Sequence, residues 1–199
     1  MRILIFATFL LTACGSDEID SNEAARRAYL GLDKSIQKSL TLGFDGFYAG
    51  SNANIATQMA PGDSTGTLTI SGHVDAGQSN NKQMHLNVGM VMYSDGAFVV
   101  DDKNDKATIT YDTSTDVTMQ PELGLSLHNF PNGTYDGTMV NGTYHLSGDI
   151  KGDATLNLTL TGELMDDGTG KTVRKPGTTV ITGTATNADG GSYTINVTI

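Results

Sequence analysis

The sequence predicts a mainly β protein: an antiparallel meander curled into a closed or open barrel, with a β-sandwich as the alternative, preceded by one N-terminal amphipathic α-helix. Three observations carry this. From Thr65 to the C-terminus apolar and polar residues alternate with the strand period, in segments separated by Gly, Asn and Asp. The composition, 24 Gly and 27 Thr against four Pro and no Trp, favours strands and turns. Before residue 45 the apolar spacing is instead helical.

The first element is not part of that fold. Met1 and Arg2 supply positive charge, and Ile3 to Leu11 form an apolar run broken only by Thr8. Such a run is too short for a bilayer span, which needs about 20 residues, but it suits an export signal. Its end, Leu11-Thr12-Ala13-Cys14, resembles the lipobox of bacterial lipoproteins. The resemblance implies a signal peptide over residues 1–13, cleavage before Cys14, and acylation of that cysteine, including by palmitate. Several acyl chains on one residue exceed what stable anchoring needs. The partner it implies is therefore a membrane, reached through lipid on Cys14. Gly15 in place of Asp after the cysteine implies the outer membrane in a double-membraned bacterium, on a face the residues leave open. An ordinary secretory signal with an incidental cysteine is the competing reading.

Residues 14–19 read as a polar tether and 20–199 as a single domain. Asp20 with Glu23 fits a capping-box-like helix start. Ala25, Ala28, Tyr29, Leu32, Ile36 and Leu40 form one apolar stripe, and Gly43 is a natural residue just past a C-cap. The spacing predicts a helix over about 21–42. The stripe calls for a partner, either the following sheet or a membrane surface. A polar face mixing Glu23, Asp33 and Gln37 with a few basic residues favours the sheet. Phe44, Phe47 and Tyr48 extend that packing through an expected turn.

The β-rich part is expected over 65–199. Leu68, Ile70 and Val74 share a face opposite Thr67, Thr69, Ser71 and His73, and Met84, Leu86, Val88, Met90 and Met92 repeat the pattern. It returns in "LGLSLHNF", "GTYHLSGDI", "ATLNLTLTGEL", "TTVITGTAT" and "SYTINVTI". Asn132-Gly133 and Asn141-Gly142 are type I′ hairpin candidates. About nine to eleven strands with one apolar face must curl or be covered. A weak repeat sets Gly72, Gly148, Gly162 and Gly183 on that face, where they suit strand coiling or the approach of another element.

Charge and motifs exclude more than they assign. A formal net charge of −10, one unit more negative without Arg2, argues against nucleic acid, whose phosphates need clustered Lys and Arg. One cysteine rules out an internal disulfide. His73, His85, His128 and His145 fall on the Thr-rich face without close metal-ligand spacing. The Asp-rich loops at 101–105, 112–116 and 166–167 lack the EF-hand order, and turn chemistry accounts for them. No hydrolase elbow, zinc-protease, phosphate-loop or dinucleotide signature is present, so the expectation is no enzyme, no catalytic residue, no metal and no cofactor. Two functions remain: carriage of a hydrophobic small molecule inside the barrel, or a filled core whose outer face serves a structural or protein-interaction role in the envelope. A transmembrane barrel with the apolar face outward is disfavoured by missing aromatic girdles.

Overall fold

Helix α1 spans Asn22–Ala49 and lies against the concave side of an antiparallel sheet, in a computed structural model that describes residues 18–49, 54–75 and 80–199. Among the described residues the protein is mainly antiparallel β with this one α-helix. The stripe residues Ala25, Ala28, Tyr29, Leu32, Ile36 and Leu40 are each at most 1% exposed. Its start is capped by Ser21, whose Oγ accepts from the Ala24 N–H at 3.2 Å, while Glu23 turns instead to Arg26 and Arg27.

The helix runs seven residues past its expected end. Gly43 does not terminate it because that position presses on the sheet: a Cβ there would sit 2.8 Å from the Met84 sulfur. Gly31 does the same on the preceding turns, where a Cβ would overlap the Tyr111 hydroxyl. That hydroxyl donates to the Ala28 carbonyl at 2.8 Å, an approach closed to any larger residue at position 31. Phe44 therefore sits on the helix, its ring centroid 5.0 Å from that of Phe130, not in a turn. The side chains of Phe47 and Tyr48, and Cys14 with the start of the tether, lie outside the described residues. Of the other tether residues, Glu18 bridges to Lys151 and Ile19 is 1% exposed, so both belong to the packed body.

The strands are β1 (Asn54–Pro61), β2 (Thr65–Val74), β3 (Lys82–Ser94), β4 (Phe98–Val99), β5 (Lys106–Ala107), β6 (Ile109–Asp112), β7 (Glu122–His128), β8 (Thr134–Val140), β9 (Tyr144–Gly148), β10 (Gly152–Asp166), β11 (Thr172–Arg174), β12 (Val180–Asn187) and β13 (Ser192–Thr198). All but β4 and β5, which pair as a small flap, belong to one eleven-stranded sheet. Strand β1 was not expected: only Ile55 of "NIATQMAP" is buried, so the segment shows no alternation.

Register reduces the eleven segments to a simpler path. Met139 pairs with Leu158 and Tyr144 with Ala154, so β8 and β9 lie end to end along β10 with one extra residue between them. Asn141-Gly142, both at positive φ, makes that bulge and not the expected hairpin. Likewise β6 and β7 lie end to end along β3. Strands β7 and β8 do form a hairpin, but through the 129–133 connection and not through the expected type I′ turn, since neither Asn132 nor Gly133 has the positive φ such a turn needs. The sheet is thus a meander of eight positions, β1-β2-β3-β6/β7-β8/β9-β10-β11/β12-β13, with β11 and β12 end to end along β10.

This sheet curls into a ring-like wall around α1, which touches both of its margins, β1 and β13. The margins are not left bare. Outward-facing Thr194 N–H donates to Asn22 Oδ1 at 2.8 Å, and on β1 Pro61 has no N–H while its carbonyl accepts from Lys38 Nζ at 3.1 Å. The curl itself uses three of the repeat glycines: Gly72, Gly148 and Gly183 have φ of 159°, 107° and 152°, and a Cβ on any of them would strike a neighbouring backbone carbonyl. Gly162 differs, making room for the ring of Tyr135: a Cβ there would sit 2.8 Å from the ring.

Inward positions from Leu68 to Val197 form one core with the helix stripe, completed by Tyr29, Tyr93, Tyr111, Tyr135 and Tyr144, all below 2% exposed. Burial pushes the phenols of Tyr29, Tyr93, Tyr111 and Tyr144 well up from the ordinary value of 10.0, and raises that of Tyr135. The unfolded chain therefore ionises first. Stability is complete below pH 10 and falls as pH climbs past it, so phenolate absorbance from these five of the seven tyrosines should rise together with loss of circular dichroism, not before it. Gly31→Ala should destabilise by about 1–3 kcal/mol through overpacking despite the roughly 1 kcal/mol helix-propensity gain, with Tyr111→Phe recovering part of the loss in a double-mutant cycle by urea unfolding.

Candidate functional site

The four histidines stand on the outer, water-facing side of the sheet, each tied to a neighbour. His85 Nδ1 lies 3.2 Å from Glu122, His128 Nε2 2.8 Å from Asp136, and His145 Nδ1 2.6 Å from Asp153, while His73 stacks on His85 with centroids 4.9 Å apart. His73 and His85 thus meet across β2 and β3, while His128 and His145 pair only with their own aspartates. The Asp-rich loops use their carboxylates on their own backbones. Asp101 accepts from the Lys103 and Asp105 N–H groups, and Asp167 from Thr169 N–H at 2.8 Å and its hydroxyl at 2.6 Å. Those Thr169 bonds lower the Asp167 pKa, as the bonds from Thr118 lower that of Asp116. Among the described residues no group of three or more His, Cys, Asp or Glu is placed to hold a metal ion.

The interior, expected by one reading to hold a ligand, is occupied by α1 and the tyrosines. The outward side carries Thr, Asn and His, so the apolar face of the sheet points in toward the helix. No described helix is long and apolar enough to cross a membrane.

A cleft of about 530 Å³ opens at the surface, between the N-terminal half of α1, the flap of β4 and β5, and the end of β13. Leu30, Phe98, Val197 and Ile199 give it an apolar floor, and Arg26, Lys34, Asp101 and Asp102 stand on its rim. Arg26 pins the flap by donating to the Val100 carbonyl while bonded to Glu23, whose pKa is held down at about 2, chiefly by Arg26. Sequence reasoning missed this cleft, because the flap is too short to show a period and its partners are distant in the chain.

Two polar clusters fix the helix beside the cleft. Arg174 on β11, 9% exposed, grips Asp33 with Nη1–Oδ1 at 2.8 Å and Nη2–Oδ2 at 2.9 Å, and donates from Nε to Gln37 Oε1 at 3.1 Å. Tyr29 donates to the same carboxylate at 3.0 Å. Burial works against the guanidinium charge, but the bonds and attraction from Asp33 outweigh it and raise the Arg174 pKa. On the other side Lys38 Nζ reaches Asp95 at 2.6 Å and Asp63 at 2.8 Å, 5.5 Å from the centre of the Tyr93 ring. Partial burial opposes that ammonium too, and the two carboxylates prevail, raising the Lys38 pKa and lowering that of Asp63. With their donors and acceptors mutually engaged, both clusters act as clamps between helix and sheet.

Comparison with protein-family models, with characterised proteins and with solved structures finds no match to this chain.

Removing one partner of the buried pair strands the other. Arg174→Ala should lower unfolding free energy by about 3–5 kcal/mol in urea titration, and the paired replacement Asp33→Leu with Arg174→Met should cost less than either single change.

Proposed function

We propose that this chain is an exported lipoprotein of the cell envelope, held to the outer membrane by lipid on Cys14, whose domain is a solid structural or protein-interaction module without enzymatic activity. The observation that carries the choice between carriage and display is the interior. Where a carrier needs space, α1 supplies Tyr29, Leu32, Ile36 and Leu40 at no more than 1% exposure, packed on the inward residues of the sheet. A rigid wall displaying Thr, Asn and His on its outer side suits recognition by another envelope protein. Its acidity gives it no electrostatic hold on anionic headgroups, so the lipid is the anchor.

A second reading has one supporting observation. The apolar floor of Leu30, Phe98, Val197 and Ile199 is of a kind that takes a small hydrophobic molecule at the surface cleft.

Labelling of the full-length protein with palmitate in a bacterial host should mark the wild type and be lost in Cys14→Ser; persistent label in the variant would defeat the anchor. Native mass spectrometry of the chain from Glu18 onward should return the bare protein mass. A stoichiometric adduct that extracts into organic solvent would instead support carriage at the cleft.

A further inference from the structure

We propose that the end of the domain built from Glu18, Ile19, the 149–152 turn and the 187–191 turn is the face held against the bilayer, with the phospholipid headgroup layer as its partner. This rests on the reading of Cys14 as the acylated residue.

Reach sets the orientation. Glu18 forms a parallel bridge with Lys151, the Ile19 carbonyl accepts from Asn187 Nδ2 at 2.9 Å, and Asn22 accepts from Thr194, so the chain joins the body at once from residue 18. Glu18, Ile19, Lys151, Gly152, Asn187 and Ala188 line one small depression at that end. From Cys14 to Glu18 there are four links, which span about 14 Å at full extension. Strand β10 starts at the same end, at Gly152, and its 15 residues carry it about 50 Å to Asp166, where the 167–171 turn begins. The tether is thus several times shorter than the body it holds. It brings the Glu18 end to the headgroups and leaves the 167–171 turn far from them. This end carries Glu18, Asp149 and Asp189 beside Lys151 in its turns, more acid than base, so proximity there comes from the short tether and not from attraction to anionic lipid.

The test uses the full-length lipidated protein in phosphatidylcholine vesicles containing a lipid with a nitroxide on its headgroup. A fluorophore is attached through Ala188→Cys at the near end or Thr169→Cys at the far end, both exposed positions. Cys14, being acylated, leaves no competing thiol. The expected result is quenching several-fold stronger at 188 than at 169, with the difference abolished by an inserted Gly-Ser linker of about twelve residues after Asp17, which adds roughly 20 Å of reach. Equal quenching at the two positions, in protein that floats with the vesicles, would overturn the orientation alone. Protein that fails to float, or a Cys14→Ser variant that floats equally well, would overturn the anchor and the orientation with it.

Discussion

The apolar face of the meander, from Leu68 across to Val197, must be taken out of water, and α1 is the described element placed to do so. A sheet of eight positions with one greasy side cannot stand open. It wraps instead round a helix whose own stripe needs burial, and each solves the other's problem. The fit depends on small residues at the contact. Ala25, Ala28, Gly31, Ser35, Ser39 and Gly43 bring the helix axis close to the sheet, and five tyrosines fill the remaining width.

Apolar burial is not directional, so it does not set where along the sheet the helix lies. The two polar clamps do. Asp33 and Gln37 meet Arg174 on one flank, and Lys38 meets Asp63 and Asp95 on the other, so sliding or rotation of α1 by one residue would strand charges in partly buried surroundings. The Arg26 contact with the flap adds a third fixed point, and it is this contact that gives the surface cleft one of its walls.

Much of this was legible in the sequence, and the illegible parts share a cause. The apolar alternation identified the strands that bury a face, and the helical stripe identified the side of α1 that faces the sheet, because both depend on local periodicity. Strand β1, with one buried residue, carries no period. Gly43 reads locally as a helix stop, yet continues because of what Met84 does on the other side of the contact. Asn141-Gly142 has the dihedrals of a hairpin turn but serves as a bulge, since its flanking strands both pair with β10. Arg174 and Asp33, 141 residues apart, have no local signature at all. Cys14, whose surroundings resemble a lipobox, lies outside the described residues.

The hydrogen bond from Thr194 to Asn22 joins residues 172 apart in sequence, and α1 rests on the last strand as well as on the first three. The first element of the described fold is therefore sealed by the last. Until β13 is present the helix has no complete seat and the core stays open, so folding is dominated by contacts of long sequence separation, with a large loop-closure cost and a correspondingly slow rate. Such a fold is completed only when β13 takes its place beside α1.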